Sequence, residues 1–141
     1  MEQVKFIVPG EPCGKGRPRF SRKLGKAYTP DKTAMYENLV KVEYQSQCKA
    51  YKFPDDAMLD MRILAYYGIP KSESKKKKAL MRRNAIRPTK RPDFDNVAKL
   101  VADALNQVAY RDDTQIVDCQ VRKFYSDEPR TEVLIMRTGG N

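Results

Sequence analysis

The sequence contains no histidine among its 141 residues and only three cysteines. Without histidine, Ser-His-Asp catalysis, Cys-His catalysis and any imidazole general base are excluded. Cys13, Cys48 and Cys119 are odd in number and widely spaced, so neither a disulfide framework nor a zinc site is expected. Inert or buried thiols are the default interpretation. Enzymatic chemistry would have to come from carboxylates, lysine, tyrosine or a metal held by oxygen ligands.

Long apolar segments are also missing, and no run of residues is suited to spanning a membrane. The first ten residues, MEQVKFIVPG, lack the basic and long apolar regions of a secretory signal. We therefore predict a cytoplasmic protein with no membrane partner. The length suits a single domain over residues 1–141.

The sequence has fewer acidic than basic residues. The chain has 28 Lys and Arg residues against 18 Asp and Glu, a formal net charge of +10. Such an excess favours a polyanionic partner, with nucleic acid ahead of an anionic membrane surface. The alternative is a basic surface that binds no polyanion.

The apolar pattern predicts the order β, α, β, α, α, β, β, which indicates an α+β fold with a mixed sheet and helices largely on one face. The stretch QVKFIVPG predicts the first strand. A helix follows, with Thr29 as N-cap and Pro30 at its first position. Its expected core stripe is Met35, Leu39 and Val42, flanked by Tyr36 and Val40.

Alternation over Leu59, Met61 and Ile63 predicts a strand, and Ser72 or Ser74 is positioned to cap a short basic helix. In that helix Leu80 and Met81 are expected to contact the core. The strongest helical period comes next, over Val97, Leu100, Val101, Ala104, Leu105 and Val108. Val117, Cys119 and Val121 partly alternate as a strand. Glu128-Pro129-Arg130 suits a hairpin turn before a last strand, TEVLIMR.

Two basic stretches are candidates for DNA contact. Residues 10–26 form a predicted loop rich in Gly and Pro, which is either a solvated turn or a phosphate-contacting segment. Its glycines do not match the P-loop pattern, so no nucleotide cofactor is expected. The lysine run 75–78 is either a solvated face or a non-specific backbone contact. The candidate DNA-binding residues are Lys15, Arg17, Arg19, Lys75, Lys76, Lys90 and Arg91.

Two carboxylates, Asp93 and Asp95, stand at the start of the strongest predicted helix. Either could cap the helix, and Asp95 could form an ordinary ion pair with Lys99 one turn later. In extended geometry, however, side chains at i and i+2 point to the same side, so the two acids would face one space and repel. A divalent cation or nearby lysines would relieve that repulsion.

A second acidic pair, Asp112 and Asp113, follows the helix, and Asp103 extends the stripe of Asp95 and Lys99. The chain must double back along the helix, or a second subunit must contribute, for Asp113 to approach Asp93. Several carboxylates on a basic protein suggest Mg²⁺, which prefers oxygen ligands and assists phosphodiester hydrolysis. The residue types alone favour a nuclease and a simple nucleic-acid binder about equally.

The segments KGRPRF, YTPDKTAMYE, RPDFDNVAKLVADAL and YRDDTQIVD occur in that order between about residues 9 and 125. Together they closely resemble the RusA family of Holliday junction resolvases. The resemblance implies a small homodimeric endonuclease, often encoded by phages or prophages, that cuts four-way DNA junctions with paired symmetric nicks. It implies Mg²⁺ as cofactor, with Mn²⁺ as a substitute.

The resemblance also assigns roles to individual residues. Asp93, Asp95 and Asp113 match the family's metal-binding and catalytic carboxylates, and Lys99 matches its catalytic lysine. Asp112 fills a neighbouring family position and is a weaker candidate, while Asp103 is interpreted as structural. The alternatives are a non-catalytic basic nucleic-acid-binding protein, in which the acids are helix caps, and a small basic scaffold protein.

Overall fold

The computed structural model describes residues 2–16, 19–23, 25–28 and 31–139. This part of the chain forms one α+β domain, as predicted. Its elements are β1 (Gln3–Pro9), β2 (Arg19–Ser21), β3 (Lys26–Tyr28), α1 (Asp31–Gln47), β4 (Met58–Gly68), α2 (Lys75–Arg82), α3 (Phe94–Ala104), a 3₁₀ turn (Asp113–Gln115), β5 (Ile116–Ser126) and β6 (Arg130–Thr138). No helix in these ranges is long and apolar enough to cross a membrane.

The main sheet has four strands in the order β1-β6-β4-β5. Strand β4 pairs parallel with β5 and antiparallel with β6, and β1 pairs antiparallel with β6, so the sheet is mixed. The predicted hairpin at Glu128-Pro129-Arg130 is wrong, because β4 lies between β5 and β6. Residues 127–129 instead cross the end of β4 at Gly68. A turn pattern shows that the chain reverses but not which strand it will pair with.

The core lies between the sheet and the helices α1 and α3. As predicted, Leu59, Met61 and Ile63 are buried on one face of β4, and the apolar stripe of α3 is buried from Val97 to Leu105. Ser74 caps α2, its Oγ accepting from the Lys77 N–H at 3.2 Å. Met81 of α2 is buried, whereas Leu80 is half-buried.

Two details of the predicted secondary structure need correction. The predicted loop at residues 10–26 includes β2 and the first residue of β3, which pair as a short antiparallel hairpin. Helix α1 is present, but it is rotated relative to the predicted stripe: Met35 is 73% exposed and Val42 is 50% exposed, while Val40 and Tyr44 are buried. The proposed cap residues of α1, 29 and 30, lie outside the described part of the chain.

Aromatic contacts explain the face that α1 presents to the sheet. The Tyr44 ring packs edge-on against Phe6 of β1, with ring centroids 5.3 Å apart. The Tyr36 hydroxyl hydrogen-bonds the Thr131 hydroxyl of β6 at 2.9 Å. A large ring with a satisfied hydroxyl buries more area than Met35 or Val42 would, so the tyrosines determine the buried face.

Strand β5 differs from its predicted pattern because it is an edge strand. Val117 is 55% exposed and Cys119 is also exposed, while Val121 is partly buried against the core. The register shifts at Val117, since Leu59 pairs with Ile116 and Asp60 pairs with Asp118. The first half of β5 is therefore exposed at the border of the sheet.

Candidate active site

The N-terminus of α3 presents two exposed carboxylates. Asp93 is the N-cap, with extended backbone (φ −68°, ψ 155°), and its side chain makes no capping hydrogen bond. Asp95 lies in the first turn. The helix begins at Phe94, so the expected extended geometry ends at Asp93, but both carboxylates are exposed at the same end of the helix. Asp93 is not engaged in the local bond that would explain it as a cap.

The loop before the β2–β3 hairpin packs directly against this helix end. The Lys15 N–H donates to the Asn96 carbonyl at 3.0 Å. A Cβ on Gly14 would lie 2.9 Å from the Pro92 Cβ and 3.1 Å from the Asn96 Cβ, so only glycine allows this approach. The acidic helix start is therefore fixed by the N-terminal loop.

Lys123 of β5, which is not among the residues predicted from the motifs, lies near Asp93. Its Nζ donates to the Lys90 carbonyl at 2.7 Å and sits 5.0 Å from the Tyr67 ring centroid. Burial lowers the pKa of Lys123, and the charge of Asp93 opposes that shift. Burial, and then the charge of Asp93, raise the pKa of Tyr67. This lysine could not be found from local sequence, because only the pairing of β5 with β4 brings it to Asp93.

Further along α3, Lys99 and Asp113 line the same surface concavity of about 290 Å³. Its other walls come from α3, β4 and the start of β5: Met61, Ala98, Ala102, Ile116 and Cys119. Asp113 therefore lies beside the C-terminal half of α3, and it does not reach Asp93 and Asp95 at the start of the helix. The Asp113 N–H is held by the Asn106 side-chain oxygen at 2.8 Å.

Asp113 lies beside two other carboxylates at the C-terminal end of α3. Burial, a hydrogen bond with Asp103 and the charges of Asp112 and Asp103 raise its pKa. Asp112 has a different role: its Oδ2 accepts from the Thr114 N–H at 3.3 Å and from the Thr114 hydroxyl at 2.6 Å. These bonds lower the pKa of Asp112 and cap the 3₁₀ turn.

Lys15 binds two carboxylates on different helices. Its Nζ is 3.0 Å from Glu37 of α1 and 3.3 Å from Asp103 of α3, and its side chain is only 21% exposed. Burial lowers the pKa of Lys15, but the hydrogen bonds and charges of Glu37 and Asp103 outweigh it and raise that pKa. Asp103, interpreted from sequence as structural, thus connects this network to Asp113.

The structure does not bring all the predicted metal ligands together within one chain. Asp93 and Asp95 lie at one end of α3, and Asp113 lies at the other, with Lys99 between. Among the described residues, no group of three or more Asp, Glu or Cys residues is placed to hold a metal ion. In kind, the available oxygen donors fit a hard cation such as Mg²⁺.

The candidate DNA-binding residues fall in three situations. Lys75, Lys76, Lys90 and Arg91 are exposed, whereas Lys15 is held by its two carboxylates. Arg17 and the side chain of Arg19 lie outside the described part of the structure. Residues 71–91, which join β4 to α3, contain ten Lys and Arg residues and one Glu, so this segment concentrates the positive charge and leads directly to Asp93.

The family model described as Endodeoxyribonuclease RusA matches residues 9–136. The chain belongs to the RusA family. Membership implies the endodeoxyribonuclease activity of a Holliday junction resolvase, and binding of branched DNA is a trait of the RusA family. The chain is also 41% identical over 139 residues to the uncharacterized protein YqaN of Bacillus subtilis (strain 168), with 96% of each chain covered.

RusA membership confirms the family inferred from the sequence motifs. The matched region includes the acidic start of α3, Lys99 and Asp113, so the site described above lies inside the family domain.

Proposed function

We propose that this protein acts as a homodimer that resolves four-way DNA junctions by metal-dependent hydrolysis, making paired symmetric nicks. The observation that carries this proposal is the exposed face of α3. There a helix otherwise packed into the core presents Asp95 and Lys99, directly after a strongly basic segment. A polyanion attracted by residues 71–91 would meet carboxylates, a combination that suits metal-assisted phosphodiester chemistry.

Asp93, Asp95 and Asp113 are the residues that would hold Mg²⁺, with Mn²⁺ able to replace it. When bound there, the ion would supply activation of water and neutralisation of charge on the phosphate. The length of α3, roughly 16 Å for eleven residues at about 1.5 Å each, separates the two acidic groups. A second copy of the chain is therefore the proposed source of the remaining carboxylate at each site.

Lys99 is placed to stabilise the phosphate during cleavage. It lies on the exposed side of α3, one turn after Asp95, and lines the concavity that contains Asp113. An ammonium group at this position adds positive charge where negative charge develops in the transition state. Lys99 would thus act on the substrate, while Lys15 maintains the structure of the site through Glu37 and Asp103.

DNA binding is proposed to rest mainly on residues 71–91. Lys75 and Lys76 are exposed at the start of α2, and Lys90 and Arg91 are exposed just before Asp93. Paired sites in a dimer would match the two-fold symmetry of a four-way junction. Because phosphate contacts release counterions, binding should weaken steeply between about 50 and 200 mM salt.

A cleavage assay tests the proposal. Labelled four-way junction and matched linear duplex are incubated with wild-type protein or the Asp95→Asn variant, with Mg²⁺ or with EDTA. We expect symmetric nicks in the junction only for wild type with Mg²⁺. Junction binding without nicking by the wild type would contradict the nuclease and favour the non-catalytic binder. Equal nicking of duplex and junction would support nuclease activity but contradict specificity for the four-way junction.

A further inference from the structure

The two edge strands of the main sheet, β1 and β5, differ in how far other residues cover their outward-facing backbone groups. At β1, the Gln47 side-chain amide exchanges two hydrogen bonds with the Ile7 backbone, at 2.8 and 2.7 Å, and the Cys48 thiol donates to the Lys5 carbonyl. At β5, Arg87 Nε donates to the Lys123 carbonyl at 2.8 Å. Within the described ranges, no comparable bond covers residues 118–122 of β5. An uncovered edge of this kind is a template for another strand.

The existing hydrogen bonds show which backbone groups of β5 point outward. The Ser126 carbonyl accepts from the Ile69 N–H at the end of β4, so Ser126 faces β4. The Lys123 carbonyl accepts from Arg87, so Lys123 faces outward. In a parallel pair, the N–H and C=O of one residue point to the same side, and neighbouring residues alternate. Cys119 and Val121 therefore direct both backbone groups away from the sheet.

The open segment is bounded symmetrically about Gln120. On one side the strand is interrupted by the bulge at Val117, three residues before Gln120. On the other side Arg87 closes the edge at Lys123, three residues after it. We propose that residues 118–122 pair antiparallel with the same residues of a second copy, around a two-fold axis at Gln120.

The chemistry of the segment fits this register. Cys119 would exchange both backbone hydrogen bonds with Val121 of the second copy and vice versa, giving four in total. Asp118 would stand opposite Arg122 of the second copy, and both side chains are exposed on the same face of the sheet. An axis at Asp118 would place like charges opposite each other. An axis at Cys119 would place Val121 opposite the bulge and lose regular bonds.

This interface would border the proposed active site. Ile116 and Cys119 of β5 line the concavity that contains Lys99 and Asp113, so the second copy would sit at its rim. The inference rests on the proposed function in one respect: it takes a second copy of the chain as the partner that pairs with the open edge of β5. Association is measurable without DNA or metal. A wild-type dimer that does not respond to changes in residues 118–122 would reject this interface and leave the proposed homodimeric nuclease standing.

Proline at Val121 tests the hydrogen bonds. The Val121 N–H points outward and is not needed for pairing with β4, and proline is tolerated at such edge positions. In sedimentation equilibrium, Val121→Pro should raise the dimer dissociation constant about tenfold or more, whereas the matched Val121→Ala, which keeps the N–H, should change it much less. Circular dichroism checks that both variants are folded. A monomeric wild type, or equal dissociation constants for the two variants, would overturn the proposal.

Charge exchange and cross-linking test the register. Asp118→Arg and Arg122→Asp should each weaken the dimer, and the double variant should restore it. In a Cys119→Ser background, Gln120→Cys should form an intermolecular disulfide on mild oxidation, because residues at the axis lie within bonding distance. Cys13 and Cys48 are buried and do not compete. No rescue by the double variant, or efficient cross-linking through native Cys119 without the Gln120 disulfide, would contradict an axis at Gln120.

Discussion

The two faces of α3 differ in almost every physical property. One face carries Val97, Leu100 and Val101, all buried against the sheet. The opposite face carries Asp95 and Lys99, both exposed. The apolar face follows a helical period and stabilises the fold. The charged face contributes little packing, so its residue types are not explained by stability.

The acids on α3 and in the turn that follows it also differ in their hydrogen-bond and ion-pair partners. Asp112 makes two hydrogen bonds to Thr114, and Asp103 is held by Lys15, so their carboxylates have structural partners. Asp93 makes no capping bond. A carboxylate at a helix end is therefore explained as a cap only when its side chain hydrogen-bonds the backbone N–H groups of the first turn.

The largest expected effect is the loss of catalysis on the charged face. We expect Asp95→Asn to lower the rate of junction cleavage about 10²–10³-fold, because Asp95 would help to hold the ion that neutralises charge on the phosphate, and losing one source of such stabilisation has an effect of this size. Its free energy of unfolding should stay within about 0.5 kcal/mol of wild type, as for other surface changes. Single-turnover cleavage and urea unfolding measure the two quantities. If Asp95→Asn lowered the free energy of unfolding enough to explain the loss of activity, the charged face of α3 would have a structural role and not a catalytic one.

The reciprocal change is on the buried face. Leu100 is fully buried, so Leu100→Ala should lower the free energy of unfolding by about 2–5 kcal/mol through lost burial and a cavity. Met35→Ala is the matched control, because Met35 is 73% exposed, and its cost should be below about 0.5 kcal/mol. Equal losses in urea unfolding would show that the buried face of α1 or α3 is wrongly assigned.

Lys15 links α1 to α3 through Glu37 and Asp103, so its replacement should lower the free energy of unfolding by an intermediate amount. Lys15→Met leaves Glu37 and Asp103 without their shared cation, so we expect a loss of about 1–3 kcal/mol in the free energy of unfolding, typical of hydrogen bonds to charged groups. Lys52→Met, at an exposed lysine, is the control. If Lys15 instead contacts DNA and contributes no stability, its variant will unfold like the control but bind the junction less tightly.

The smallest effect concerns pH and the buried tyrosines. Burial raises the pKa of Tyr36 to about 12, although the hydrogen bond with Thr131 opposes the shift. A folded-state pKa above the ordinary tyrosine value of about 10 means that stability is complete below about pH 10 and falls as the pH rises towards 12. Unfolding titrations should show a smaller fall over that interval for Tyr36→Phe. An identical fall would place the alkaline sensitivity elsewhere.

Local sequence was sufficient for features that local sequence determines. The period of α3 is strong because one face is wholly apolar, and the Ser74 cap acts within its own helix turn. In the predicted stripe of α1, Leu39 does pack against the core, but Met35 and Val42 are exposed. The buried face is turned because Tyr36 and Tyr44 find partners on β6 and β1, which no local pattern contains. The hairpin at Pro129 was wrong because β4 inserts between β5 and β6.

The sequence motifs proposed the residues of the candidate site, but they could not give their arrangement. The motif identified Asp93, Asp95, Lys99 and Asp113 as candidates, and the structure brings Lys99 and Asp113 to one concavity. The link from Lys15 to Asp103, and the approach of Lys123 to Asp93, depend on contacts between distant segments. Such contacts follow from the tertiary fold and not from residue spacing.

The proposed metal site is shared: Asp93 and Asp95 of one copy and Asp113 of the second copy would hold the same metal ion. Isothermal titration of Mn²⁺ into wild type, Asp95→Asn and Asp113→Asn tests it most directly, with Asp112→Asn as the matched control because asparagine retains the capping acceptor. We predict that Asp95→Asn and Asp113→Asn each weaken binding at least about tenfold, the lower end of the range for mutating a group that only supports a metal ligand, while Asp112→Asn binds nearly as wild type. Wild-type affinity in Asp113→Asn would contradict a shared site.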